Sequence, residues 1–135
     1  MKFYLAALRK YATSSGRATR SEFWYFTLFG NILIPLTLLL IVFLGEFIAI
    51  AAGARDAVSL AQSAWEILFV IYVLSMLLPS LAVSVRRLHD VNFSGWWLLL
   101  SFVPIASLAL FAFYVMDGTP VDNRFGLNPK TQAVP

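Results

Sequence analysis

Arg86-Arg87-Leu88-His89-Asp90-Val91-Asn92-Phe93-Ser94-Gly95-Trp96-Trp97 is a short charged passage between two long apolar runs, and its reading decides the fold. It holds the only histidine of the chain. Upstream, Ile67 to Val85 is a run of 19 residues without a charge, and downstream Trp96 to Met116 is a run of 21. As helices rising ~1.5 Å per residue, both reach across a hydrocarbon core about 30 Å thick. Trp96 and Trp97 then act as interface anchors, because an amphipathic ring is most stable with its body in lipid and its polar edge among headgroups.

The composition fits this reading. Of 135 residues, 60% are hydrophobic and 13% charged, and the mean hydropathy is +0.79. A soluble domain of this size could not cover itself with polar groups from such a chain. The net charge of +3 suits contact with anionic lipid better than nucleic-acid binding, which calls for a basic face on a soluble domain. No cysteine is present, which excludes disulfides and thiolate chemistry.

Working outward, Phe23 to Leu44 is a further charge-free run of 22 residues, preceded by Arg17, Arg20 and Glu22 and anchored by Trp24 and Tyr25. Thr19 or Ser21 can cap its start, with Glu22 facing the positive end of the helix dipole. Asn31 and Pro35 lie inside it; Pro79 and the hydroxyls of Ser75, Ser80 and Ser84 lie inside the second run, and Pro104 inside the third. Each proline frees a carbonyl, and the serines are placed to bond back to those freed by Pro79. Phe47 to Ala54 is too short to cross alone and either extends the first helix or lies at the surface.

The first residues form an amphipathic helix over 2–13. Phe3, Tyr4, Ala7, Leu8 and Tyr11 share one side of the wheel and Lys2, Arg9 and Lys10 the other, which suits an interfacial helix or one packed on its own bundle. The run between Lys2 and Arg9 is too short for a signal sequence, so this helix is expected to be retained. The fold class is therefore all-α, a multi-pass membrane helical bundle forming one integral domain over 1–130. Spans are expected at about 23–44, 67–85 and 96–116, with a frayed tail at 131–135.

Lys and Arg set the orientation. Five precede the first span, two separate the second from the third, and Arg55 alone stands between the first and second, which predicts a cytoplasmic N-terminus. Three crossings then leave the tail outside.

The candidate site is Arg17, Arg20, Glu22, Arg86, Arg87, His89, Asp90, Asn123 and Arg124. As an Arg-rich cytoplasmic rim, it would grip anionic headgroups bidentately or meet a protein partner. His89 with Asp90 also has the makings of a general base and its orienting carboxylate, acting on a lipid or phosphorylated substrate. That second reading lacks a nucleophile elbow, a phosphate-binding glycine loop and a cofactor motif. One histidine without cysteine is a poor metal set. An oligomeric pathway for small solutes is the remaining alternative, against which all three runs lack an ionisable residue.

Three passages carry a family resemblance: Gly16-Arg17-Ala18-Thr19-Arg20-Ser21-Glu22-Phe23-Trp24; Arg86-Arg87-Leu88-His89-Asp90 with Ser94-Gly95-Trp96-Trp97; and Gly118-Thr119-Pro120 with Asn123-Arg124-Phe125-Gly126-Leu127-Asn128-Pro129. Together they resemble the signatures of the small bacterial inner-membrane proteins grouped as domain of unknown function 805. The resemblance departs at Asp122 and Leu127, both in the tail. It implies a cytoplasmic-membrane location and a multi-pass helical fold, with no assigned activity. It also sets a conflict: if the three passages pack together they share one side of the membrane, which three crossings forbid. A re-entrant 96–116, or a crossing by 47–64, would remove the conflict; the lengths favour three spans.

Overall fold

The computed structural model describes residues 2–131, without the side chains of residues 2, 55–57 and 60, and every regular element in it is helical. Helix α1 spans Lys2–Arg9, shorter than the expected 2–13; single turns close Lys10 and Thr13 onto Ala7 and Lys10. Its apolar face lies on the next helix, with Ala7 buried, Tyr4 stacked on Phe26 and Phe3 on Tyr25. The helix thus packs on its own bundle, with Leu5 exposed on its outer side.

Helix α2 runs without a break over Arg20–Ala51, so Phe47 to Ala51 extends the first helix. Thr19 caps it, its hydroxyl accepting from the Glu22 amide at 3.1 Å. Residues Thr27–Leu33 form a π-helical stretch, and the Ile34 amide donates to Phe29. Pro35 explains the wide turns. Lacking an N–H, it cannot donate to Gly30, and Ile34 has already turned to Phe29, so the Gly30 carbonyl is left without a helical donor. The Tyr72 hydroxyl, from the neighbouring helix, donates to it.

Helix α3 covers Arg55–Asp90 and contains Pro79. That proline removes the donor for the Ser75 carbonyl, and the Tyr11 hydroxyl supplies one. The serines serve differently from expectation: Ser75 Oγ donates to Tyr72 at 2.7 Å and Ser80 Oγ to the Asn31 side chain at 3.1 Å. Both carbonyls freed by proline are thus satisfied by tyrosines reaching across, as a bilayer interior requires. Among the described residues, α2 and α3 are the two helices long and apolar enough to cross a membrane.

The run 96–116, expected as one span, is not one helix. A 3₁₀ helix over Gly95–Phe102 and helix α4 over Ser107–Val115 are joined by a turn at 103–106. Val103 is extended, φ −113° and ψ 111°, because a residue before proline is excluded from the helical region by the Pro104 ring. Ser107 Oγ donates to the Pro104 carbonyl at 2.6 Å and secures the turn. The arms fold back together: Phe113 stacks on Phe93 at 4.2 Å and meets Trp97 edge-on. The tip is apolar and open, with Phe102 at 83% and Ile105 at 84% exposure. The proposed 131–135 fraying falls, beyond Thr131, outside the described residues.

One small core, Ala7, Ala18, Phe23, Phe26 and Val83 with Tyr4, Leu8, Met76 and Tyr114 around it, binds α1, α2, α3 and α4 at the end of the bundle where Arg86 to Asp90 lie.

Candidate functional site

Helix α3 ends at Asp90 in a Schellman motif. Asn92 takes the left-handed conformation, φ 65°, its amide bonds His89, and the Phe93 amide bonds Leu88. Other carbonyls of the last turn are met by the rest of the chain: Arg86 by the Ala18 amide at 3.0 Å, Asp90 by the Thr119 amide at 2.9 Å, and His89 also by Asn123 Nδ2 at 2.9 Å. Helix-end chemistry thereby draws the loop before α2 and the tail after α4 onto one place.

Asp90 lies at the centre. Its Oδ1 accepts from Arg17 Nε at 2.9 Å and its Oδ2 from Arg87 Nη1 at 2.6 Å. Arg17 turns its other two nitrogens to the tail, donating to Thr119 at 2.6 Å and Val121 at 2.8 Å. Arg87 turns to the end of α4, donating through Nε to Tyr114 at 3.2 Å and through Nη2 to Met116. Arg86 pairs with Glu22 at 2.5 Å, leaving its Nε and Nη2 buried without a partner among the described residues. Exposure is 5% for Arg17, 1% for Arg86, 0% for Arg87 and 2% for Asp90.

Two guanidiniums on one carboxylate leave a buried surplus of positive charge. The C-terminal ends of α3 and α4 both point into the cluster, and their partial negative charges oppose that surplus. Gly118 is the fit that admits it, since a Cβ there would lie 2.0 Å from Asp90 Oδ2.

These positions correct two expectations. Arg17, Arg86 and Arg87 do not form an open rim: all three are buried, Arg17 and Arg87 with their forks spent on Asp90 and main-chain carbonyls and Arg86 with one nitrogen on Glu22. Asp90 does not orient the His89 ring, since its carboxylate is held by Arg17 and Arg87 while His89 faces elsewhere. Its Nδ1 lies 3.2 Å from the Gly16 carbonyl, to which the neutral ring donates, and its face stacks on Phe125 at 3.9 Å. His89 stands beyond the charge-free segment 67–85, and burial followed by the nearby Arg124 pushes its pKa below the ordinary histidine value, against the raising effect of the Gly16 bond.

Arg124 lies over the other partner of this stack, 4.7 Å from the Phe125 ring centre, and donates to Asn92 at 3.2 Å. Asn123 closes its own turn with Gly126 and joins His89 to the Thr119 hydroxyl. Arg20 is exposed and pairs with Asp117 at 2.7 Å, which Lys130 also approaches. Trp24, Tyr25, Trp96 and Trp97 are all exposed, Trp24 edge-on to Phe111 and Tyr25 parallel to Phe29. No group of three or more potential metal-binding side chains occurs among the described residues.

Gly118, Thr119, Phe125 and Asn128 were missed as site residues. Asn128 is buried, bonding the Pro120 carbonyl at 2.7 Å and taking the Lys130 amide, while Asp122 accepts its own amide. Their signal was the density of turn formers in the tail, which marks turns but not what the turns dock against.

The family model described as "Protein of unknown function (DUF805)" matches residues 11–127. Inner membrane protein YhaI of Escherichia coli (strain K12) is 37% identical over 131 residues, covering 96% of this chain and 97% of that protein. Inner membrane protein YhaH of the same strain is 38% identical over 133 residues, covering 98% and 99%. No solved structure matches. An all-helical chain with two long apolar helices, matched along nearly its whole length by these relatives, belongs to the DUF805 family and is a helical membrane protein whose relatives are inner membrane proteins.

Proposed function

We propose that the chain is a non-enzymatic membrane module with two crossings, α2 and α3, and a re-entrant hairpin, 95–115, latched to the cytoplasmic face by the Arg17–Asp90–Arg87 cluster. The observation that carries the reading is that the Arg17 guanidinium holds both Asp90 and the tail carbonyls of Thr119 and Val121. Residues at both ends of the chain and at the end of α3 then share one side, which two crossings satisfy and three do not. The hairpin arms, about 16 Å of 3₁₀ helix and about 14 Å of α-helix, reach roughly half of the core and return. Non-straight backbone is acceptable there because it packs on α3 and on itself.

The charge distribution supports the same placement. Among all the lysines and arginines, only Arg55, the first residue of α3, stands at the far end of the two long helices; every other one stands at the latched end, which the positive-inside rule assigns to the cytoplasm. What remains for headgroups is an outer rim of exposed residues, Arg9, Lys10, Arg20, Arg124 and Lys130. Such a rim attracts anionic lipid at about 1 kcal/mol per basic residue.

The test is a pair of reporters active on one side only, fused to each end of the full chain. Both are expected to report the cytoplasm; a tail reporter on the far side overturns the two-crossing reading. For the rim, phosphatidylglycerol retained by the purified protein is expected to fall several-fold in Arg20→Ala with Arg124→Ala, and unchanged retention would remove lipid as its ligand.

A further inference from the structure

Helices α2 and α3 diverge around an open cleft deep in the apolar segment. Its two adjoining lobes, about 310 and 410 Å³, share Asn31, Pro35 and Phe69. The walls are apolar apart from Asn31, Tyr72, Ser80 and the indole N–H of Trp65, and of these Tyr72 is engaged with the Gly30 carbonyl and Ser80 with Asn31. Asn31 is exposed, lines the cleft and, among the described residues, makes a single side-chain bond, to Ser80. Whichever way its amide is oriented, one bond to a hydroxyl leaves the other half of the amide open.

Depth decides what can meet that open half. Asn31 lies about 4 Å along the helix from the middle of the apolar segment 23–44. Phospholipid offers only methylene and methyl groups at that level, whereas an amide there needs a hydrogen-bonding partner. We propose that the cleft is a homodimer interface in which a second copy, inserted with the same orientation, brings its own Asn31 opposite. A two-fold axis along the membrane normal puts the two amides at equal depth, and an amide is self-complementary: each NH2 donates to the oxygen of the other. With Ser80 donating to one lone pair of that oxygen, the second lone pair accepts the partner's NH2, and the same surface serves both copies. Leu36 and Leu39, lining the cleft beside Asn31, pack around the pair. This inference is independent of the side on which the tail lies.

The chain has no cysteine, so single cysteines report proximity without background. Full-length protein with Leu36→Cys, or separately Leu39→Cys, is reconstituted into phosphatidylethanolamine–phosphatidylglycerol vesicles and oxidised. Both are expected to give covalent dimers, whereas Ile41→Cys, exposed on the opposite face of α2, is expected to remain monomeric. Asn31→Leu in both members of a fluorescently labelled pair should lower association about ten- to a hundredfold, roughly three- to tenfold for each of the two reciprocal interhelical hydrogen bonds lost, with Asn31→Gln recovering part of it. Monomers at every protein-to-lipid ratio, equal cross-linking through Ile41→Cys, or association indifferent to Asn31→Leu each overturns the proposal. A monomer carrying a retained lipid in the cleft does so as well.

Discussion

At one end of the bundle three arginines and two carboxylates are buried; along the rest of α2 and α3, leucines, isoleucines and phenylalanines face outward. From Ile34 to Ala51 no residue is buried. Each region would be unstable in the other's surroundings. The apolar arms need no protein partner because lipid is as apolar as they are. The charged end is buried because a guanidinium taken out of water is tolerable only when its donors are met, and here carboxylates and main-chain carbonyls of the tail and of the end of α4 take up most of the guanidinium nitrogens. Stability is therefore concentrated in the polar end, the reverse of a soluble domain.

Asp90→Ala should break this contrast most strongly. It leaves Arg17 and Arg87 buried without a counter-charge, a loss of about 3–5 kcal/mol. Denaturant unfolding in mild detergent measures the loss, and cleavage of the tail by added protease should accelerate alongside; a stable Asp90→Ala protein would show that the cluster is dispensable. Next come the tyrosines. Tyr72→Phe and Tyr11→Phe each strip a proline-freed carbonyl of its donor at nearly constant shape, so each should cost about 1–2 kcal/mol; the double variant should depart from the sum, because Ser75, whose carbonyl Tyr11 serves, also bonds the Tyr72 carbonyl. In the arms, Leu40→Ala should change unfolding by no more than about 0.5 kcal/mol, since lipid replaces the lost contact. A core-like penalty there would mean that a protein surface covers Leu40.

The smallest effect is expected from pH. Burial holds the His89 pKa below its ordinary 6.5, so the unfolded chain takes up the proton more readily than the folded one. Its contribution is therefore fully present above that value and is lost as pH falls through the lower, folded one. Acidification should loosen the Phe125 stack and raise tail proteolysis, with His89→Gln removing the pH dependence; an unchanged profile in His89→Gln assigns it to another group.

Much of this was legible from residues alone. A hydroxyl cap at Thr19 or Ser21, of which Thr19 is the one used, Pro35 and Pro79 as breaks in bonding, and the apolar lengths of α2 and α3 follow from local chemistry, which neighbouring structure does not alter. Pro104 was visible too. Its consequence was not, because a proline in an apolar run either bends a helix or ends it, and the choice depends on whether the returning arm finds something to pack on. Phe93 and Arg87 supply that something, through the Phe113 ring and the Tyr114 and Met116 carbonyls.

The same division applies to the charged passage from Arg86 to Asp90. By itself the sequence determined that it lies at the end of a span, that the chain is a helical membrane protein, and that its three signature passages mark one family. Only the tertiary structure decided that Asp90 faces two arginines and not His89, and that Gly118 and Thr119 close over it. Helix position is set by neighbours in the chain, whereas the partner of a charge 73 residues away is set by where turns and helix ends bring the backbone.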